Sequence, residues 1–171
     1  MAGQDGTTTT TTTTIERRNA VRAILLTPMR EVLLLRVRSP DSADSFWITP
    51  GGGQEPEETA ADCLRRELRE ELGLEQFTLG PLVWRREHTF TWSARRIHQR
   101  EQYHLIEVPK FTPRMSDPVE SKTVDALRWW TIRELCETRE RLTPALLPSI
   151  VSAYVRDGAP REPIALELSI E

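Results

Sequence analysis

Cysteine is scarce in this chain, with two among 171 residues, Cys63 and Cys136. Two thiols cannot build a disulfide framework, and neither stands at a metal-type spacing from another ligand. Both are expected as reduced, half-buried packing residues. Long apolar runs are missing too. The runs 23–26 and 32–35 fall far short of the roughly 20 residues a membrane-spanning helix needs, and no charged-then-apolar leader opens the chain. The expectation is a soluble, cytoplasmic protein with no membrane partner. There is no long basic run, and the formal net charge is -3, so electrostatics make no case for duplex nucleic acid. Neither an internal repeat nor a Ser/His/Asp or Cys/His arrangement is found.

What is present fits one domain of α/β (α+β) class, with strand-like and helical stretches alternating. Residues 1–14 contain eight consecutive threonines and no apolar periodicity, so nothing there offsets the entropy of ordering and the segment reads as a disordered tail. The domain is expected over residues 15–158. Residues 159–171 hold two prolines and then alternate Ile-Ala-Leu-Glu-Leu-Ser-Ile. They read as a C-terminal tail, an edge strand or a dimer strand, which leaves a homodimer open.

Strands are expected over 17–26 and 32–37 as a hairpin about the turn Thr27-Pro28-Met29-Arg30, and then over 77–84, 87–92, 102–108 and 124–130. Alternation in His88-Thr89-Phe90-Thr91-Trp92 puts His88, Phe90 and Trp92 on one face, aimed either into a cleft or into the sheet. Trp47, on the short apolar stretch before Pro50, reads first as core, with stacking on a substrate ring as the second reading. Arg85, Arg86, Arg95, Arg96 and Arg100 make a loosely basic region suited to phosphate or to plain solvation. Thr131-Ile132-Arg133-Glu134 is a capping box opening a short helix, and Thr143-Pro144 predicts a second helix running to Gly158, interrupted by Pro148.

The densest chemistry lies between Gly52 and Leu74. Gly51, Gly52 and Gly53 follow Phe46-Trp47-Ile48-Thr49-Pro50, so an apolar stretch ends in backbone that can approach a ligand closely. A helix follows, with Thr59 as N-cap and Gly73 at the left-handed position after the last turn. At about 100° per residue, Ala61, Leu64, Leu68 and Leu72 form a stripe, Glu67, Glu70 and Glu71 lie beside it, and Arg65, Arg66 and Arg69 take the rest. Carboxylates at helical spacing repel by roughly 0.2–0.5 kcal/mol per pair, a cost that a bound cation turns into a gain. Hard oxygen ligands suit magnesium, which commonly shares its shell with substrate phosphates.

Written as a pattern, Gly52, five residues, Glu58, seven residues, Arg66-Glu67-Leu68, one residue, Glu70-Glu71, one residue, Gly73-Leu74 resembles the signature of the Nudix hydrolases without a departure. The resemblance spans 23 of 171 residues. It implies a mixed β-sheet sandwiched between helices, with the motif as a loop-helix-loop. It also implies that Glu67, Glu70 and Glu71 bind Mg2+, with Mn2+ as the alternative, and that the Gly51 carbonyl is a further ligand. One of the glutamates, Glu67 or a neighbour, would deprotonate the attacking water. Arg66 and Glu58 would be structural, the arginine steering the catalytic acids. Outside the motif, Glu120 is the candidate for one more acidic ligand, with Glu101 behind it. Gly52, Gly53, Trp47, His88 and Phe90 are the candidate substrate contacts.

The implied reaction is hydrolysis of a phosphoanhydride bond in a nucleoside diphosphate linked to another moiety, X. Phe90 stands where ADP-ribose hydrolases of this family often carry proline, and no tyrosine of the dinucleoside polyphosphate type lies near it. A nucleoside triphosphate, an oxidised nucleotide, a sugar nucleotide and a capped RNA remain open, the RNA disfavoured by the modest basic content. The alternative from a different class is a non-catalytic Nudix domain that binds nucleotide as a sensor or regulator.

Overall fold

A computed structural model of the chain describes residues 14–115 and 123–167. The threonine run before residue 14 and the candidate Glu120 lie outside the described residues.

The strand β1 (Ile15–Leu26) is the spine of a single mixed sheet. Its C-terminal half is buried on both faces, which is why it reads as a continuous apolar run rather than an alternating one. Val21, Ala23 and Leu25 face one way, onto the helix α1 (Ala60–Leu72), with Leu64, Leu68 and Leu72 packed against them. Ile24 and Leu26 face the other way, into a second core shared with Trp130 and with Leu147, Ile150 and Val151 of α3 (Leu147–Asp157). The sheet therefore lies between α1 on one side and α3 with the short α2 (Ile132–Glu137) on the other.

The remaining strands are β2 (Glu31–Arg38), β3 (Ser45–Ile48), β4 (Gly51–Gly53), β5 (Leu82–Trp92), β6 (Arg95–Glu107), β7 (Val124–Thr131), β8 (Leu142–Thr143) and β9 (Ile164–Glu167). The order is β8-β3-β2-β1-β6-β5-β9, with β4 added to β1 and β7 to β2. This architecture is the mixed sheet between helices expected of the class.

Several local expectations differ from the structure. The β1–β2 hairpin has a single rung, Leu26 opposite Val32. Instead β1 pairs in parallel with β6 from Ile15–Arg96 to Leu26–Glu107, and its other edge takes β4 between Ala20 and Arg22. Residues 77–81 form no strand, because Phe77 and Leu79 pack on the α1 core instead. The two strands expected on either side of Arg85-Arg86 are one, β5, joined to β6 by a two-residue turn in which Ser93 and Ala94 have φ of 50° and 60°. Thr143 belongs to β8, and Pro148, read as an interruption, sits in the first turn of α3, where a missing N–H costs nothing. Cys63 is fully buried, whereas Cys136 is exposed rather than half-buried.

Candidate active site

α1 is fixed at both ends as its sequence specifies. The Thr59 side chain accepts from the Asp62 N–H at 3.1 Å, and Gly73 turns the chain at φ 68°. With the apolar stripe docked on β1, the neighbouring acids Glu67 and Glu71 are carried below the surface, 5% and 6% exposed. Glu71 Oε2 accepts the Gly51 N–H at 2.7 Å. Glu67 lies against Gly52 so closely that a Cβ there would stand 2.6 Å from its Oε1. Glycine is therefore required for the helix acid and the strand to meet.

Arg66 ties the motif together. Its Nε and Nη2 fork onto Glu58 at 2.8 and 2.9 Å, Nη2 also donates to the Gly53 carbonyl at 2.9 Å, and Nη1 donates to Glu67 Oε1 at 2.6 Å. The Arg66 guanidinium and the Glu55 N–H hold the Glu58 carboxyl down at about 2. Burial raises Glu67 above the usual carboxylate range, against the pull of Arg66. Burial together with Glu67 and Glu58 pushes the Cys63 thiol up to about 12, which makes it a packing residue and no nucleophile. Glu70 is more open and leans toward Arg66 and Arg69, at 3.8 and 3.9 Å. Among the described residues no three acidic, histidine or cysteine side chains converge on one point, since Glu67 and Glu70 lean toward Arg66 while Glu71 takes the Gly51 N–H.

Glu67, Glu71 and all three glycines open onto a cavity of about 590 Å³, within the range of small-molecule sites. Its floor is the polar end of β1, β6 and β5. The face of β1 that carries Ile24 and Leu26 into the core carries Arg18 and Arg22 into this cavity, and the neighbouring strands add Gln99, Glu101, Arg86 and His88. Arg22 Nη1 donates to the Gly51 carbonyl. Glu101 is enclosed by Arg22, Arg86 and His88 at 3.1, 3.4 and 3.4 Å. Burial alone would raise its pKa, but His88, Arg22 and Arg86 together hold it well below the usual carboxylate range. At the far end, His88 and Phe90 stack with centroids 4.8 Å apart, Arg18 lies 5.7 Å from the Phe90 ring, and Phe46 meets Trp92 edge-on.

The structure thus brings together Gly51, Gly52, Gly53, Glu67, Glu71, His88 and Phe90 around one cavity, with Arg66 and Glu70 just behind. Trp47 is a correction to the substrate-contact reading. It is 4% exposed, packs against Trp130 at 5.1 Å, and points away from the cavity that its neighbour Phe46 lines. Arg95 and Arg100 are exposed and paired with Glu16 and Glu87, so of the basic region only Arg86 reaches the cavity. Arg18, Arg22, Gln99 and Phe46 were not anticipated. A charge inside the run Ala20–Leu26 was the available signal for Arg22, since a charge in an apolar strand must find a partner.

The NUDIX domain family matches residues 16–150. The chain belongs to the Nudix family. Among solved structures, this Nudix chain is 31% identical to the E. coli ORF135 protein, covering 86% of this chain and 96% of that one with a TM-score of 0.54. A MutT NUDIX hydrolase from Burkholderia pseudomallei is 25% identical over 80% of this chain and 97% of its own, with a TM-score of 0.56. The NUDIX domain of Shewanella oneidensis NrtR, solved with ADP ribose, shares the fold at a TM-score of 0.62 and 14% identity, covering 81% and 88% of the two chains. No curated protein matches the sequence. The protein is accordingly a Nudix hydrolase, from a family that generally works with a divalent metal. Its donor set fits such an ion in kind: the two buried carboxylates of Glu67 and Glu71, a third at Glu70 on the same helix edge, and a glycine strand that brings bare backbone against them. No helix among the described residues is long and apolar enough to cross a membrane.

Proposed function

We propose that this Nudix hydrolase cleaves, with magnesium, a phosphoanhydride bond in a nucleoside diphosphate linked to a second moiety. The observation that carries the reading is the polarity of one cavity. Carboxylates and bare glycine backbone stand at one end, arginines cover the floor, and stacked rings close the far end. That sequence of surfaces matches a ligand made of phosphates followed by a planar ring.

Magnesium held by Glu67, Glu70, Glu71 and the Gly51 carbonyl would neutralise charge on the phosphoryl oxygens and lower the pKa of an attacking water. The chain's own residues do the rest. Arg66 holds Glu67 and the loop in register, so the acids are positioned before substrate arrives. Glu67, whose burial raises its proton affinity, would accept the proton of the attacking water. The glycine strand keeps side chains out of the approach path, and the arginines offer donors to the phosphates.

The substrate panel comprises nucleoside triphosphates, nucleotide sugars, ADP-ribose and dinucleoside polyphosphates, each with Mg2+, Mn2+ or chelator. Metal-dependent release of phosphate, pyrophosphate or a mononucleotide from any member is the expected outcome. Tight nucleotide binding without turnover of any member would instead favour a sensor.

A further inference from the structure

Glu101 occupies the centre of the cavity floor, with its side chain 1% exposed. Its oxygens are fully engaged. Oε1 accepts from Arg22 Nε at 3.1 Å and from Gln99 Nε2 at 2.7 Å, while Oε2 accepts from the Tyr103 hydroxyl at 2.7 Å and from Arg86 Nη1 at 3.4 Å. A carboxylate offers about four lone-pair directions, so none is left over for a metal ion, and the second-choice ligand role expected for Glu101 does not fit its surroundings. The donors around it are less fully used. Arg86 is 6% exposed and its Nε has no hydrogen-bond partner, while His88 Nε2 lies 3.4 Å from Glu101 Oε2. Arg18, Arg22 and Arg86 share the floor with this one carboxylate. A buried guanidinium N–H without a partner, on a floor where three arginines meet one carboxylate, matches an anion rich in oxygen.

We infer that Glu101 is a positioning residue, which holds the guanidiniums of Arg22 and Arg86 side by side as a cradle for the phosphoryl oxygens of the substrate. The inference rests on reading the cavity as a phosphoanhydride site. Two guanidiniums would repel each other across this floor, and a buried carboxylate between them both offsets the repulsion and fixes their rotamers. The cradle adjoins the acidic edge. Arg22 donates to the Gly51 carbonyl while the Gly51 N–H donates to Glu71, so a diphosphate lying on the arginines also lies beside the helix glutamates. Gln99 extends the same network, passing its amide N–H to Glu101 and accepting from Arg18 Nε through its oxygen.

The test is calorimetric titration of the full chain with inorganic pyrophosphate in chelator, for the wild type, Glu101→Gln and Arg86→Gln. It is paired with the Mn2+ affinity of each protein by electron paramagnetic resonance. Wild type is expected to bind metal-free pyrophosphate, and both variants to bind it at least about 10-fold more weakly, as loss of charge-assisted contacts implies. Mn2+ affinity should stay unchanged. On a nucleotide that the wild type hydrolyses, Glu101→Gln should raise KM more than it lowers kcat. Unaltered pyrophosphate affinity in a folded Glu101→Gln protein overturns the inference, as does a comparable loss of Mn2+ affinity, which would make Glu101 a ligand. If Glu101→Gln fails to fold, Arg86→Gln and the wild-type titration decide, and a wild type that ignores pyrophosphate refutes the cradle. A protein that binds pyrophosphate yet turns over no member of the substrate panel keeps the cradle and sinks the hydrolase reading, so the two failures are distinct.

Discussion

Gly52 leaves no space for a methyl group, since a Cβ would meet the Glu67 carboxylate at 2.6–2.7 Å. The obstructing atoms are the far end of a flexible side chain, so Gly52→Ala should fold normally while displacing the acid. A shift of about 1 Å in a reacting group can cost about 10²-fold in rate. Turnover lowered by roughly that factor, with an unchanged melting temperature, is the expected pair of measurements. Glu71→Gln keeps the shape of the side chain and an oxygen for the Gly51 N–H, yet removes the charge, so it should also fold and lose at least about 10²-fold in kcat. Full activity in that variant would remove Glu71 from the chemistry. These residues were legible because helical spacing alone gathers Glu67, Glu70 and Glu71. Trp47 and Phe46 were not separable in the same way. A step of one residue along a strand reverses the face, and only the register of β3 against β2 decides which ring meets the cavity.

α1 is the element whose sequence says most about its structure. Cap, apolar stripe and terminal glycine agree with one another and with the observed bounds Ala60–Leu72. Its position depends on Leu68, fully buried against β1, so Leu68→Ala should lower unfolding stability by about 2–5 kcal/mol, read by urea denaturation. Because the same helix carries the acids, that variant should lose activity at temperatures where its fold persists. The capping box of α2 was equally readable, as Thr131 and Glu134 exchange both bonds. The segment 77–81 was not. Apolar spacing looks the same whether Phe77 and Leu79 enter a sheet or rest on a helix, and the contact with α1 decided it.

Across the whole molecule, the pairing of β1 with β6 joins residues about 80 positions apart and builds both the core and the cavity floor. That floor makes stability depend on pH. Glu101 is held below its ordinary value in the folded protein, whereas in the unfolded chain it titrates at about 4.3. Its contribution is therefore complete above the unfolded value and is lost as pH falls toward the folded one. Glu58 and Asp125, also depressed by arginine partners, act in the same direction. The urea midpoint of the wild type should fall as pH drops below about 5, and fall less steeply in Glu101→Gln, which has no such proton to gain. Equal slopes would show that Glu101 is not part of the acid response. By itself the sequence determined the helix, its caps, the acidic edge and the glycine approach, because each depends on residues within one turn or one loop of each other. Tertiary structure alone decided that Arg18, Arg22, Arg86 and Glu101 share a floor and that Phe46, not Trp47, faces it. Those placements follow from strand order and register, which bring distant residues onto one face; the charge of Arg22 within an apolar strand marks its need for a partner, but no local stretch of sequence says which partner.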